Sequence, residues 1–301
     1  MTVSEAISEY LSYIESVRAL SANTVLACGN DLEQFAMMPF IGAEKDISLV
    51  ELEDLRQCVG ILSKKKRSAA SINRFISSVR SLFSYCRKFG HLKTNVAFEF
   101  RTVKNPKKLP RFMTGAEIDR LCREPETNEL LWEKRDRALF EMLYSSGCRV
   151  SEIASLDLDD MSGDFSSAIV TGKGRKDRRV YFESDARRAL REYLEDRKKR
   201  FGDNDKERRV FVNQRGGPLT SGGIRMIVSR YSGSEGTKRH VSPHAFRHTF
   251  ATAMIANGAD VRMVQEFLGH SSISTTQRYT HISTERMIEM YNKAHPHGGD
   301  K

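Results

Sequence analysis

The sequence predicts a mainly α chain of the α+β class. An all-helical N-terminal domain covers residues 1–100, a linker covers 101–112, and a mixed helical C-terminal domain with a small β-hairpin covers 113–301. Three observations predict this. Apolar residues recur at helical spacing up to about residue 100. The stretch RTVKNPKKLPRF, Arg101 to Phe112, contains Pro106 and Pro110, and proline disfavours helix on both sides. Further on, two runs of strand formers, Ala168–Thr171 and Arg178–Phe182, flank Gly172-Lys173-Gly174-Arg175-Lys176-Asp177, a turn whose glycines allow positive φ.

The first helix is expected over Val3–Val17, with Ser4 as N-cap and Ile7, Leu11 and Ile14 on its apolar side. The second starts at Ser21-Ala22-Asn23-Thr24 and ends near Met37; the third covers Ser48–Leu62. After the charged turn Lys64-Lys65-Lys66-Arg67, a fourth helix covers Ser68–Lys88. In it Ile72, Phe75, Ile76, Val79, Leu82, Phe83 and Cys86 form a stripe at helical spacing. Asn73, Arg80 and Arg87 repeat every seven residues on another face, with Arg74, Ser81 and Lys88 beside them. A solvated face normally mixes in acidic residues; this one has none, and its side chains are those that bind phosphate or base edges. C-terminal helices are expected at Thr114–Arg123, Leu130–Ser146, Asp185–Arg200, Thr220–Tyr231, Pro243–Asn257 and Val261–Leu268. Gly258 and Gly269 sit at helix C-terminal positions. A last helix, Ser283–Ala294, carries Met287, Met290, Tyr291 and Ala294 as an apolar stripe; three turns are marginal in isolation, so it must dock on something.

The chain has 301 residues and 39% hydrophobic side chains, enough for two cored domains. No apolar run reaches the roughly 18 residues of a membrane span. Met1-Thr2-Val3-Ser4-Glu5 does not start a signal peptide, and a cytoplasmic protein is expected. Cys28, Cys58, Cys86, Cys122 and Cys148 are odd in number and widely spaced, which argues against a disulfide framework or zinc site. The net charge is +10, and its distribution matters more than its size: −8 over residues 1–54, +13 over 55–110 and +5 over the rest. One stretch of 56 residues thus holds more than the whole excess, which points to nucleic acid.

Four local patterns bear on chemistry: Gly147-Cys148-Arg149-Val150-Ser151-Glu152; the hairpin tip with Lys173; His244-Ala245-Phe246-Arg247-His248; and Leu268-Gly269-His270, followed by Tyr279-Thr280-His281. Each is weak alone. An arginine after a helix is usually a surface ion pair, and a hairpin lysine is usually solvated. The P-loop signature is absent around the glycines. His244 and His248 are four apart, but no H-E-x-x-H pattern or third ligand accompanies them, so no metal is expected. Together they supply two Arg, a Lys, two His and a Tyr, a set suited to metal-free phosphodiester transfer. Guanidinium forks bind the equatorial oxygens of a pentacoordinate phosphorus and stay charged at any working pH. His244 and Arg247, three apart on a helix, can grip one phosphate. A tyrosine, with its pKa near ~10, needs a base or a positive field to become a nucleophile.

This set resembles the tyrosine site-specific recombinases of the phage integrase family, most closely the bacterial Xer recombinases XerC and XerD. The resemblance covers essentially the whole chain. It is most specific at GCRVSE, TGKGRKDR, SPHAFRHTFAT and LGHSSISTTQRYTH. It implies that Arg149 and Arg247 bind the phosphate, Lys173 is the general acid, His244 assists as base and donor, His270 contacts the phosphate, and Tyr279 is the nucleophile of a 3′-phosphotyrosyl intermediate. Glu152 either orients Arg149 or is a plain helix charge. The resemblance further implies a core-binding N-terminal domain and a catalytic C-terminal domain, double-stranded DNA at a dif-like site as substrate, and chromosome dimer resolution as the role. It implies a tetramer on DNA, a second Xer recombinase and the septal DNA translocase FtsK as partners, no cofactor, and a last helix that fills a pocket on a neighbouring protomer. Asn73, Arg74, Arg80 and Arg87 are the expected DNA contacts of the basic helix. The Gly- and Ser-rich stretch Ser232–Lys238 departs from the family pattern, where a more helical connection is expected. Three readings remain beside this one: a mobile-element integrase, a DNA-binding regulator with the same fold, and a type IB topoisomerase.

Overall fold

The computed structural model describes residues 1–104, 113–127, 132–172, 176–202, 206–232, 241–269 and 284–296. The chain divides into two compact units, Met1–Lys108 and Leu109–Lys301. The fold is mainly helical, and among the described residues the only sheet has two strands. No described helix is long and apolar enough to cross a membrane.

The first unit is helical throughout. Helix α1, Val3–Ser12, is capped two residues earlier than Ser4: Thr2 accepts the Glu5 amide and Glu5 accepts the Thr2 amide, a reciprocal box. It runs into a π-turn over Tyr13–Val17, whose extra residue shifts the helical phase. Val3, Ala6, Tyr10 and Ile14 are buried, whereas Ile7 and Leu11 are half-buried. Helix α2, Ala22–Ala36, starts at Ser21, whose hydroxyl accepts from Thr24 N. Helix α3, Leu52–Lys64, starts later than Ser48, because Asp46 caps a separate 3-10 turn over Ile47–Leu49. Helix α4, Ala69–Lys88, buries all seven residues of the expected stripe. Phe75 and Phe83 meet Phe35 of α2 at ring distances of 6.4 and 6.3 Å and centre the core.

The second unit is built around α6, Glu133–Ser146, buried on nearly every side between α5 (Gly115–Thr127), α8 (Ser184–Phe201) and α10 (Pro243–Ala256). A short helix α7, Val150–Ser155, was not legible in the pattern; six residues are too few to show a period. Strands β1 (Ser167–Thr171) and β2 (Asp177–Tyr181) pair antiparallel, Ser167 opposite Tyr181 and Thr171 opposite Asp177, within a residue of expectation. Helices α9 (Ser221–Ser232) and α11 (Val261–Leu268) complete the frame. The linker residues 105–112 and the glycine-rich residues 233–238 lie outside the described residues. All five cysteines are buried and unpaired.

Helix α12, Thr284–Ala294, docks on its own domain in the single chain. Tyr291 and Ala294 are buried, with Met287 and Met290 packed beside them, against Phe250, Met254, Val264 and Phe267. The Tyr291 hydroxyl donates to the Ser145 carbonyl at 2.9 Å and lies 2.8 Å from Ser145 Oγ, which also accepts the Glu183 amide at 2.8 Å. Asn257 Nδ2 donates to the Ala294 carbonyl at 2.9 Å and closes the helix end.

Candidate active site

Helix α6 ends at Gly147 in the left-handed region, φ 60°. A side chain there would be strained and would collide, since a Cβ would sit 2.5 Å from the Phe250 ring of α10 and 3.1 Å from Leu268. This close approach brings α10 against the turn that carries Arg149. The Arg149 backbone is extended, φ −72° and ψ 151°, and caps α7. Glu152, 3% exposed, accepts the Arg149 amide at 2.7 Å and Arg149 Nη1 at 2.8 Å. Glu152 is therefore the partner that orients Arg149, not a plain helix charge.

Arg247 lies on α10, buried to 9% exposure. Its Nη1 donates to the Gly147 carbonyl at 2.8 Å and its Nη2 to the Leu268 carbonyl at 2.5 Å. The guanidinium thus ties the Arg149 turn to the end of α11. Burial, and then the nearby Arg149 and Arg178 charges, pull its pKa down to about 10, which leaves it a cation at neutral pH. Exposed at the start of the same helix is His244, three residues before Arg247. His248 is also exposed.

Arg178 of β2 completes the cluster, and no role was assigned to it from the sequence. Its Nη1 and Nη2 reach the two Glu152 oxygens at 2.9 and 2.8 Å, and its Nε donates to the Phe267 carbonyl at 2.9 Å. Burial alone would raise the Glu152 carboxyl, but the donors from Arg178 and Arg149 outweigh it and hold it below the usual range. Alternation along the strand was the available signal: Val180, two residues on, is buried, while Arg179 between them is exposed. Two guanidiniums thus pair with one carboxylate and a third, Arg247, lies close by, an excess of positive charge that favours an anion.

Lys173, His270 and Tyr279 lie outside the described residues. Gly172, which precedes Lys173 in the chain, runs close to the cluster: a Cβ on it would lie 3.5 Å from both Arg178 Nη1 and Glu152 Oε1. Gly269, which precedes His270, has φ 63°, and a Cβ there would meet Arg178 Cδ at 3.1 Å. Among the described residues no group of three or more His, Cys, Asp and Glu could hold a metal ion.

The four candidates on α4 divide into two pairs. Arg80 and Arg87 are exposed, and Arg80 lines a cleft of about 560 Å³ with Ser77, Ser81, Ser84 and Lys88. Asn73 and Arg74 have partners inside the protein. The Asn73 amide exchanges two hydrogen bonds with Val103, at 3.0 and 2.8 Å, and fixes the strand of chain that leaves the unit. Arg74 forms a two-pronged pair with buried Asp31, at 3.0 and 2.9 Å.

Residues 111–286 match the phage integrase family, and residues 7–89 match the phage integrase N-terminal SAM-like domain. A tyrosine recombinase XerC of Treponema denticola is 43% identical over 98% of this chain and 100% of its own length. A tyrosine recombinase XerD of Lacticaseibacillus casei is 36% identical over 97% of this chain and 99% of its own. In structure the chain is similar to a λ integrase dimer bound to a core site, TM-score 0.71 and 18% identity over 94% of this chain and 100% of that one, a likeness of fold. With a family model over more than half its length and relatives matched end to end, this chain belongs to the phage integrase family as a tyrosine recombinase, an enzyme that cuts and rejoins DNA at specific sites.

Proposed function

We propose that the chain exchanges DNA strands through Tyr279, with Arg149 and Arg247 holding the scissile phosphate. The observation that carries this reading is the cluster in which Arg149 and Arg178 share the buried Glu152 carboxylate while Arg247 is held beside them by the Gly147 and Leu268 carbonyls, so that both expected phosphate-binding arginines lie together. Their fixed N–H donors complement the negative charge that builds on the equatorial oxygens, in a partly desolvated site where such donors act most strongly. Tyr279 Oη attacks phosphorus, Lys173 gives a proton to the leaving 5′ oxygen, and His244 and His270 assist the proton transfer and bind phosphate. The 3′-phosphotyrosyl bond conserves the energy of the broken phosphodiester. Attack by a partner strand's 5′ hydroxyl then restores DNA and the free tyrosine, with no nucleotide consumed.

The full-length similarity to XerC and XerD proteins supports a cytoplasmic role in chromosome dimer resolution at a dif-like site. The working form would be a tetramer on DNA, with a second Xer recombinase and the translocase FtsK as candidate partners. Arg80 and Arg87, exposed on α4, are the favoured DNA contacts; Arg74 is exposed too, but it is engaged with Asp31, as Asn73 is with Val103. The test uses a nicked suicide duplex carrying the host's chromosomal resolution site, alone and with any second recombinase. The wild type should accumulate a covalent protein–DNA adduct and Tyr279→Phe none, with DNA binding retained. Adducts from the Phe variant would show that another residue is the nucleophile.

A further inference from the structure

We infer that Arg178 is a positioning residue for the phosphate site: it occupies and neutralises Glu152, so that Arg149 keeps its charge and donors for the DNA phosphate. The inference rests on the recombinase reading and extends it to a residue on strand β2.

A carboxylate has about four lone-pair sites. Glu152 accepts four N–H groups: the Arg149 amide and Nη1, and Arg178 Nη1 and Nη2. The two-pronged position, the strongest a guanidinium can take on a carboxylate, belongs to Arg178. Arg149 gives Glu152 only one guanidinium N–H, and its side chain remains 31% exposed against 11% for Arg178. If Arg178 were absent, the buried Glu152 anion would face Arg149 alone. The pair would cancel in charge, and the Arg149 fork would be free to turn onto both oxygens and away from a ligand. Arg178 prevents both outcomes.

The third donor of Arg178 has a different purpose. Nε holds the Phe267 carbonyl, three residues before His270, and the guanidinium packs against Gly269, where a side chain would crowd it. Strand β2 also follows directly on the connection from β1 that contains Lys173 in the sequence. One side chain therefore joins the three chain segments from which Arg149, Lys173 and His270 arise. A merely structural strut would make the same Phe267 contact, but it would not depend on the charge of Glu152.

That difference defines the experiment. Full-length wild type, Arg178→Gln, Arg178→Lys, Glu152→Gln and the Arg178→Gln/Glu152→Gln double variant are compared. The readouts are the single-turnover adduct rate at saturating protein on the nicked duplex, half-site Kd by gel shift, and thermal midpoint with and without orthovanadate as a phosphate-like anion. Arg178→Gln should slow adduct formation by about 10- to 100-fold, with Kd within about twofold. Arg178→Lys, which restores charge but not the fork, should fall between. The double variant should recover at least about tenfold over Arg178→Gln, because the unpaired anion is gone. Orthovanadate should raise the midpoint of the wild type and the double variant more than that of Arg178→Gln. A wild-type rate and vanadate response in Arg178→Gln, or no recovery in the double variant, would overturn the inference. A wild type that responds to vanadate yet forms no adduct would count against the recombinase reading, and the vanadate series would then decide the role of Arg178 alone. Neither adduct nor vanadate response in the wild type would overturn the phosphate site itself.

Discussion

The seating of α12 in its own domain can be tested with one atom. Tyr291→Phe removes a hydroxyl that donates to the Ser145 carbonyl and meets Ser145 Oγ, with little change in shape. The ring stays buried among Tyr181, Phe267 and His295, at ring distances of 5.6, 6.0 and 5.1 Å, so the aromatic packing is kept. What is lost is one donated bond and a buried partner for Ser145, about 1–2 kcal/mol. In a domain of this size each kcal/mol shifts the midpoint by roughly 2–4 °C, so a fall of roughly 2–8 °C is expected. Tyr291→Ala should cost about 3–5 kcal/mol, since it also empties the aromatic site. Circular dichroism melts of DNA-free protein provide the measurement, at several concentrations to exclude exchange between copies. If both variants melt with the wild type, α12 does not occupy this seat in solution and the cis docking is wrong. If the loss appears only at high concentration, the helix is held by a neighbour.

The other predictions concern the basic helix, a buried acid and metal. Arg80→Ala/Arg87→Ala should lower DNA affinity and reduce the log–log salt slope by up to about 2, whereas Asn73→Ala should leave the slope alone and reduce stability by about 1–3 kcal/mol through its two bonds to Val103; an unchanged slope in the double arginine variant would assign that face to solvent. Burial, then Glu183 and Asp185, push the Glu141 carboxyl up to about 7. A folded-state pKa above the unfolded one means that the folded chain holds the proton more tightly, so this group's favourable contribution is complete below about pH 4.5 and is lost as pH rises through about 7. Glu141→Gln should therefore gain on the wild type above pH 7, by up to about 3 kcal/mol, with the gap closing towards pH 4.5; denaturant melts that show a pH-independent gap would refute this. Adduct formation should proceed in excess EDTA, because the proposed chemistry uses arginines where other nucleases use cations; strict magnesium dependence would exclude it.

Long amphipathic elements were legible in the sequence, and long-range commitments of polar side chains were not. Helix α4 was read correctly because 20 residues display several turns of one buried stripe. Helix α7 escaped because six residues display less than two turns. Asn73 and Arg74 also have partners within the protein 30 and 43 residues away, which no local pattern reveals. Arg178 was hidden by company: Arg175, Lys176 and Arg179 around it share its charge, and only the strand's two-residue alternation separates inward from outward. Arg149 and Arg247 stood out in the sequence as a pair that phosphodiester chemistry would need together, and the structure adds the turn that brings the two near each other.

Gly147 has a consequence for how such a chain can change. At Gly42, Gly90 and Gly258, all left-handed, a Cβ would meet nothing within 4 Å, so an alanine there costs only backbone strain of about 1 kcal/mol. At Gly147 the missing methyl acts as a feeler gauge between the end of α6 and Phe250, on the same helix as Arg247. Any larger residue would open that gap, and the opening would be inherited by the carbonyls on which Arg247 is hung. The spacing of Arg149 and Arg247, the arginines proposed to hold the phosphate, is thus calibrated by an atom that is absent. Evolution or engineering can revise the helices on either side by repacking, but recalibrating that gap would require both arginines to move together.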